Sequence, residues 1–220
     1  GNTIAEIASN KAGILKRGSL AVIGRQRDEG LKAIERTAAK LKVTPFVQGR
    51  DYDGFAQDGR LIYQDEDGLL DLPPPALLGH HQFDNAALAV AAVRHFKLPV
   101  TDAQMAAGLR HVVWPARLQP LKGKLRDLLP RDAELWLDGG HNAHGAAALA
   151  LSLEEMQARR QRNLVLIVGM MNTRPPADFL APFKLMAPQV MGLTIPGEIN
   201  SYPAAAIEAA GLAHGLDAKT

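Results

Sequence analysis

Residues 134–145 read Glu134-Leu135-Trp136-Leu137-Asp138-Gly139-Gly140-His141-Asn142-Ala143-His144-Gly145. An apolar run ends in an acid, two glycines follow, and a polar pair opens an alanine-rich segment. That is the pattern of a buried strand, a tight turn and a helix start, the unit from which α/β sheets are built. Downstream the unit repeats. Leu164-Val165-Leu166-Ile167-Val168-Gly169 and Val190 to Ile195 read as strands, while Ala143 to Gln157, Ala177 to Met186 and Pro203 to Ala210 read as helices. The order βαβαβα predicts a parallel, doubly wound half-sheet. The last residues, Asp217-Ala218-Lys219-Thr220, show no closing strand or cap.

Upstream, Ile4, Ile7, Ala8, Lys11 and Ile14 recur at helical spacing behind a Thr3 cap, with Glu6 three residues on. Leu20 to Gly24 and Pro45 to Gln48 read as strands around a helix from about Glu29 to Leu41. Between Arg60 and Asp71 the pattern shortens, and the pairs Asp53-Gly54 and Asp67-Gly68 signal hairpins. A helix is predicted from Asn85 to Phe96, and another from the capping box Thr101-Asp102-Ala103-Gln104 to His111. At Trp114-Pro115-Ala116-Arg117 the period stops. A boundary or hinge is placed there, giving domains 1–113 and 114–220.

Composition narrows the classes of function. Lys plus Arg is 25 against 23 for Asp plus Glu, too balanced for a protein that coats nucleic acid or an anionic membrane. The absence of Cys removes disulfide scaffolds, zinc ribbons and thiol nucleophiles, and fits a reducing cytoplasm. No apolar run is long enough to span a bilayer, and Gly1-Asn2-Thr3-Ile4 shows no leader pattern. The opening without Met and the uncapped end read as an internal piece of a longer enzyme.

Several residues carry candidate chemistry, each with a plainer alternative. Asp138 sits at the carboxyl end of a strand, where open α/β sheets bind ligands, so it could accept from a ribose hydroxyl. The glycines would let backbone approach a phosphate, and His141 could donate to a phosphate or a developing oxyanion. Equally, Asp138 could cap the helix and the glycines make a turn. Arg117 could reach a phosphate bidentately or be a solvated surface charge. Asn85 could pair with an adenine edge or serve as an N-cap. Lys11, on the face of Ile4 and Ile7, is expected half-buried. A desolvated amine could add carbon dioxide to form a metal-binding carbamate, and the alternative is a snorkelling helix-end lysine. His141 and His144, three apart, lack a third ligand for zinc. No Walker loop is present, since Gly13 to Gly18-Ser19 lacks the required Lys.

Taken together, five segments resemble the folylpolyglutamate synthase/dihydrofolate synthase family, relatives of the Mur ligases. Ile7-Ala8-Ser9-Asn10-Lys11-Ala12-Gly13-Ile14 is similar to the family's Ile-Ala-x-Glu-Lys-Ala-Gly-Ile, and Gly79-His80-His81-Gln82-Phe83-Asp84-Asn85-Ala86 to its Gly-x-His-Gln-x-x-Asn-Ala. Trp114-Pro115-Ala116-Arg117 resembles Trp-Pro-Gly-Arg, and Asp138-Gly139-Gly140-His141-Asn142 resembles Asp-Gly-Ala-His-Asn. Gly169 to Arg174 stands where the family has Gly-x-x-x-Asp-Lys. Asn10 in place of Glu removes an acid beside the carbamate that the resemblance implies at Lys11.

The resemblance implies an α/β protein, with part of a P-loop-type ATPase domain (1–113) followed by a Rossmann-like C-terminal Mur ligase domain (114–220). It implies an ATP-dependent ligase that adds L-glutamate to dihydropteroate or folates through an acyl phosphate. ATP, Mg²⁺ and a monovalent cation are the implied cofactors. Asn85, Arg117 and Asp138 would contact ATP, Lys11 would be carbamylated and bind metal, and Lys11 and His141 would be catalytic. A cytoplasmic monomer without nucleic-acid or membrane partners is expected. Another Mur-type amino-acid ligase and a catalytically inert nucleotide-binding fragment remain as alternatives.

Overall fold

The computed structural model describes residues 3–220; Gly1 and Asn2, with which the leader reading began, lie outside the described residues. The chain forms two compact units, Gly1–Val113 and Trp114–Thr220.

The first unit contains α1 (Ile4–Ala12), β1 (Ala21–Ile23), α2 (Asp28–Leu41), β2 (Pro45–Val47), β3 (Tyr52–Gln57), β4 (Arg60–Asp65), β5 (Gly68–Leu72), α3 (His81–His95) and α4 (Asp102–His111). Thr3 caps α1 as expected, its hydroxyl accepting the Glu6 N–H at 3.2 Å. Small side chains let α1 approach α2 closely: Ala8 and Ala12 pack with Ala33, Ile34, Ala38 and Val43 over Ala21 of β1. β1 and β2 pair in parallel, Ala21 opposite Pro45. β3, β4 and β5 form an antiparallel meander. Its Tyr52, Leu61, Tyr63 and Leu72 pack on Ala86, Ala87, Val90 and Ala91 of α3 and on Met105 and Leu109 of α4.

Two readings change here. Asp53-Gly54 is not a turn but lies inside β3. The turn falls at Asp58-Gly59, whose backbones are left-handed at φ 49° and 74°. Gly54 is needed instead for close packing, because a Cβ there would lie 2.3 Å from the Ala87 Cβ. The second change is the start of α3 at His81, so that Asn85 sits inside the helix and cannot be its N-cap. The α4 capping box forms as predicted, with Gln104 Oε1 accepting the Thr101 N–H at 2.9 Å.

The second unit contains β6 (Gln119–Pro120), α5 (Lys124–Asp127), β7 (Trp136–Leu137), α6 (Ala143–Arg159), β8 (Val165–Val168), α7 (Pro176–Leu180), a 3-10 turn (Ala181–Met186), β9 (Gln189–Gly192), α8 (Ala204–Ala213) and β10 (Asp217–Lys219). The parallel sheet has the order β10-β9-β8, with Val190 opposite both Leu166 and Ala218. Around it Ala146, Ala150, Leu153, Phe179, Leu180, Phe183 and Ile207 form the core. The segment read as uncapped thus carries a strand, β10. The expected first strand, β7, joins no parallel ladder but pairs antiparallel with β6, Gln119 opposite Leu137. The helix read from Ala177 to Met186 passes into 3-10 geometry at Ala181, next to Pro182, which has no N–H to continue the α-helical ladder. No helix among the described residues is long and apolar enough to cross a membrane.

Among the described residues of the first unit, the pair of Arg94 with Asp65 is the most buried ion pair. Arg94 donates to both Asp65 carboxylate oxygens at 2.7 Å, and the side chains are only 18% and 3% exposed. Burial pushes the Asp65 carboxyl up, but the Arg94 guanidinium and the Tyr63 hydroxyl overcome it and hold the pKa below the ordinary 3.8. The stabilisation is therefore complete above that pH and is lost as pH falls through the lower folded value. Replacing Asp65 by Asn leaves Arg94 only the exposed Asp67 carboxylate at 4.0 Å as a charged partner, and we expect a loss of about 3 kcal/mol. Urea unfolding from pH 7 to pH 3 should show a shallower acid slope for Asp65→Asn than for the wild type.

Candidate functional site

In the second unit, the sequence-predicted residues Arg117, Asp138 and His141 come together at two neighbouring loops. Asp138 follows β7 and Arg117 precedes β6, so the antiparallel β6–β7 pair sets the loops side by side. The Asp138 carboxylate binds both of them. Its Oδ2 accepts the Leu118 N–H at 2.8 Å, and its Oδ1 accepts the Gly140 N–H at 2.7 Å. The Gly139 N–H donates to the Ala116 carbonyl at 2.8 Å, and the Ala116 N–H donates to Gln119 Oε1 at 3.0 Å. These bonds hold an unusual backbone. Ala116 and Leu118, on either side of Arg117, are left-handed at φ 55° and 41°. Non-glycine residues adopt that region at a cost and keep it where their surroundings over-determine it. Leu118 is buried in the core, whereas the Arg117 side chain is exposed. The loop therefore anchors one neighbour and presents the guanidinium.

The glycines act differently from expectation. Both of their N–H groups are already taken within the chain, so neither is left to cradle an anion. A Cβ on Gly139 would lie 3.3 Å from both the Ala116 carbonyl oxygen and Arg117 Nη1, so a larger residue would crowd the backbone of the Arg117 loop. Asp138 does not cap α6; Asn142 does, its Oδ1 accepting the Gly145 N–H at 2.9 Å. His141 is exposed, with Nδ1 3.0 Å from the Gly139 carbonyl. That contact is a hydrogen bond when Nδ1 carries the proton, which leaves Nε2 as an acceptor facing the Asn142 amide at 3.4 Å. A neutral His141 so held is an acceptor; as a donor at Nε2 it must be an imidazolium.

The other two candidates lie in the first unit, on different helices. Asn85 is exposed in the second turn of α3, and its Nδ2 donates to Gln82 Oε1 at 3.0 Å. Gln48, just after β2, supports the same end of the helix: its Nε2 faces Asp84 Oδ1 at 3.5 Å and Asp53 Oδ1 at 3.3 Å. Its Oε1 accepts the Arg25 N–H just beyond β1 at 3.0 Å. The first turn of α3 is thereby tied to the carboxyl ends of two parallel strands. Lys11 corrects an expectation, because its side chain is exposed. The face that α1 buries runs through Ala8 and Ala12, so burial does not desolvate the amine.

Sequence reasoning gave Gln48 and Gln119 no role in the site and met Gln82 only as part of the family motif. Each is an uncharged amide that completes backbone or side-chain bonding, and only a polar residue ending an apolar strand hinted at Gln48. Among the described residues no group of three His, Asp or Glu side chains is arranged to hold a metal.

No family model matches the chain. The dihydrofolate synthase/folylpolyglutamate synthase of Bacillus subtilis is 29% identical over 175 residues, which cover 75% of this chain and 39% of that protein. The folylpolyglutamate synthase of Lacticaseibacillus casei is 28% identical over 221 residues, covering 95% of this chain and 48% of its own length. The chain therefore spans less than half the length of these two curated relatives. Among solved structures, Mycobacterium tuberculosis folylpolyglutamate synthase complexed with ADP superposes with a TM-score of 0.79 at 26% identity, over 100% of this chain and 49% of that one. The resemblance read from the five motifs and the α/β fold it implied both stand.

In the Trp-Pro-Gly-Arg motif that residues 114–117 resemble, Gly stands at the place of Ala116, and a φ of 55° is one that Gly adopts without strain. Ala116→Gly should relieve the strain and raise stability by about 0.5–1 kcal/mol, after the larger unfolded-state entropy of Gly is deducted. Urea unfolding measures it, and a loss of stability would mean that the Ala116 methyl makes a contact worth more than the strain.

Proposed function

We propose that the chain is part of an ATP-dependent amide ligase that joins L-glutamate to dihydropteroate or a folate. Residues 1–113 are then the rear part of a central, P-loop-type ATPase domain and 114–220 a Rossmann-like ligase domain. The observation that carries this reading is the loop around Arg117. A strained backbone holds an exposed guanidinium in a chain similar along its whole length to a synthase solved with ADP. The His81-Gln82 pair favours the folate branch over other Mur-type ligases.

In this reading a carboxylate oxygen of the pteroate attacks the γ-phosphorus of ATP. The bond to the β–γ bridging oxygen breaks, and ADP leaves with that electron pair. The neutral amine of glutamate then attacks the acyl carbon, phosphate departs, and the amine proton is lost to base. Charge accumulates on phosphoryl oxygens, so catalysis rests on positioned cations. Arg117 supplies one such charge. Asp138 keeps Arg117 in place and has lone pairs left for a ribose hydroxyl. Asn85 offers its amide edge to the adenine. His141 accepts a proton at Nε2 when neutral and donates from it to a phosphoryl oxygen when protonated.

A divalent cation would add positive charge among those oxygens. Mg²⁺ keeps waters and phosphate oxygens as ligands, so a dedicated protein cage is not required. We place one protein ligand on Lys11, whose neutral amine adds to the carbon of CO₂ and gives up a proton to water. With the amine exposed, it is capture by the metal that would hold the carbamate. A reducing cytoplasm is the proposed compartment and a monomer the proposed state.

The whole protein should consume ATP only when a pteroate or folate and L-glutamate are both supplied; turnover indifferent to the pteroate removes the folate assignment. Arg117→Ala should slow ligation by about 10²–10³-fold, the usual loss for one preorganised donor. Near-normal turnover in that variant would place the site elsewhere. Intact-protein mass spectrometry under CO₂ and Mg²⁺ should find the wild type heavier by one CO₂, and Lys11→Arg unchanged. An unmodified wild type would remove the carbamate.

A further inference from the structure

Three polar side chains at the start of α3, those of His81, Gln82 and Asn85, form one hydrogen-bonded chain. Asn85 Nδ2 donates to Gln82 Oε1 at 3.0 Å, and Gln82 Nε2 lies 2.9 Å from His81 Nε2. Gln82 is only 4% exposed, whereas Asn85 is exposed. We propose that Gln82 is a positioning residue that sets which way round the Asn85 amide faces, and through it the choice of nucleobase. The proposal rests on the reading that Asn85 meets the adenine of ATP.

An Asn amide is nearly symmetric in shape but not in chemistry. A half-turn about its last bond exchanges an acceptor for a donor. An exposed Asn with no partner would sample both orientations. Here one of them places two carbonyl oxygens face to face, Asn85 Oδ1 against Gln82 Oε1, and is excluded. The other gives one Nδ2 hydrogen to Gln82 and leaves Oδ1 and the second Nδ2 hydrogen as an outward pair, acceptor beside donor.

That pair fits adenine, whose exocyclic amine donates and whose neighbouring ring nitrogen accepts. Guanine presents two acceptors on the corresponding edge and meets the Asn85 oxygen with repulsion. For Asn85 to discriminate, Gln82 must itself be unable to turn. Burial restricts it, and the contact with His81 fixes its direction. With its proton on Nδ1, the His81 imidazole accepts at Nε2 from the Gln82 amide, whose Nε2 can only donate. Turned the other way, Gln82 would oppose Oε1 to that lone pair. The orientation passes from His81 through Gln82 to Asn85 without any charged group.

The test compares ATP with GTP in the whole protein, as dissociation constants by calorimetry and as KM and kcat, for the wild type, Gln82→Met, Gln82→Glu and Asn85→Ala. Gln82→Met preserves volume and removes both polar ends. It should lower the preference for ATP over GTP by about tenfold, the lower range for one bidentate amide–base pair, while kcat at saturating ATP changes little. Gln82→Glu keeps an oxygen that accepts from Asn85, its second oxygen accepting from His81 once the imidazole proton moves to Nε2, and should retain the preference. A merely structural role would lower stability and kcat in both variants and leave the ratio untouched. If Gln82→Met does not fold, His81→Phe releases the far end of the chain and should lower the preference in the same direction. An unchanged ratio in Gln82→Met or, in its place, His81→Phe, beside a collapsed ratio in Asn85→Ala, overturns the proposal and leaves the adenine reading intact. An unchanged ratio in Asn85→Ala overturns both.

Discussion

A single carboxylate, that of Asp138, organises the candidate site of the second unit by accepting two backbone N–H groups. One comes from its own loop at Gly140 and the other from Leu118, twenty residues earlier. Hydrogen bonds to an ionised oxygen are the stronger kind, and both converge on one rigid group. Their consequence is geometric. With Leu118 held by its N–H and by its buried side chain, the chain must turn through two left-handed residues to pass Arg117. The guanidinium is then presented by strain rather than by a regular helix or strand. Backbone of this kind persists only when the surroundings over-determine it, and here the β6–β7 pair, Gln119 and the core all do so.

The first unit solves a related problem with amides. Gln48 is buried, yet every polar atom of its side chain is engaged: Oε1 with the Arg25 N–H, Nε2 with Asp53, Asp84 and the Gly54 carbonyl. Burial pushes the Asp53 carboxyl up, but the Gly54 N–H, the Gln48 amide and the Arg25 guanidinium pull it below the ordinary 3.8. Neutral amides cost less to desolvate than charges. They can therefore sit behind the site, tying β1, β2, β3 and α3 together, while the charged groups remain at the surface.

Much of this was readable in order along the chain. The caps at Thr3 and Thr101, the helix after Asn142 and the strands at 165–168 and 189–192 follow from short-range chemistry, in which side-chain oxygens meet nearby N–H groups and apolar runs seek burial. The same reasoning failed for Lys11. On a nine-residue helix, Ile4, Ile7 and Lys11 trace one stripe and Ala8 and Ala12 another. Periodicity cannot choose between two stripes; the alanines of α2 chose, because small side chains admit the closest approach. It failed again at Asp53-Gly54, a good turn pair that α3 claims for packing because nothing larger than Gly54 fits beneath Ala87.

Residue types and spacing were enough to read the α/β class, and five short motifs carried the family resemblance and made Arg117, Asp138 and Asn85 candidates, since each reading depends on neighbours within a few positions. They could not reveal that β7 would pair with β6, that Asp138 would spend both oxygens on backbone, or that Gln82 would stand behind Asn85. Those outcomes depend on which distant segments compete for the same N–H or the same space. A carboxylate looks alike in the sequence whether or not loop N–H groups have claimed it, and only the folded contacts show which.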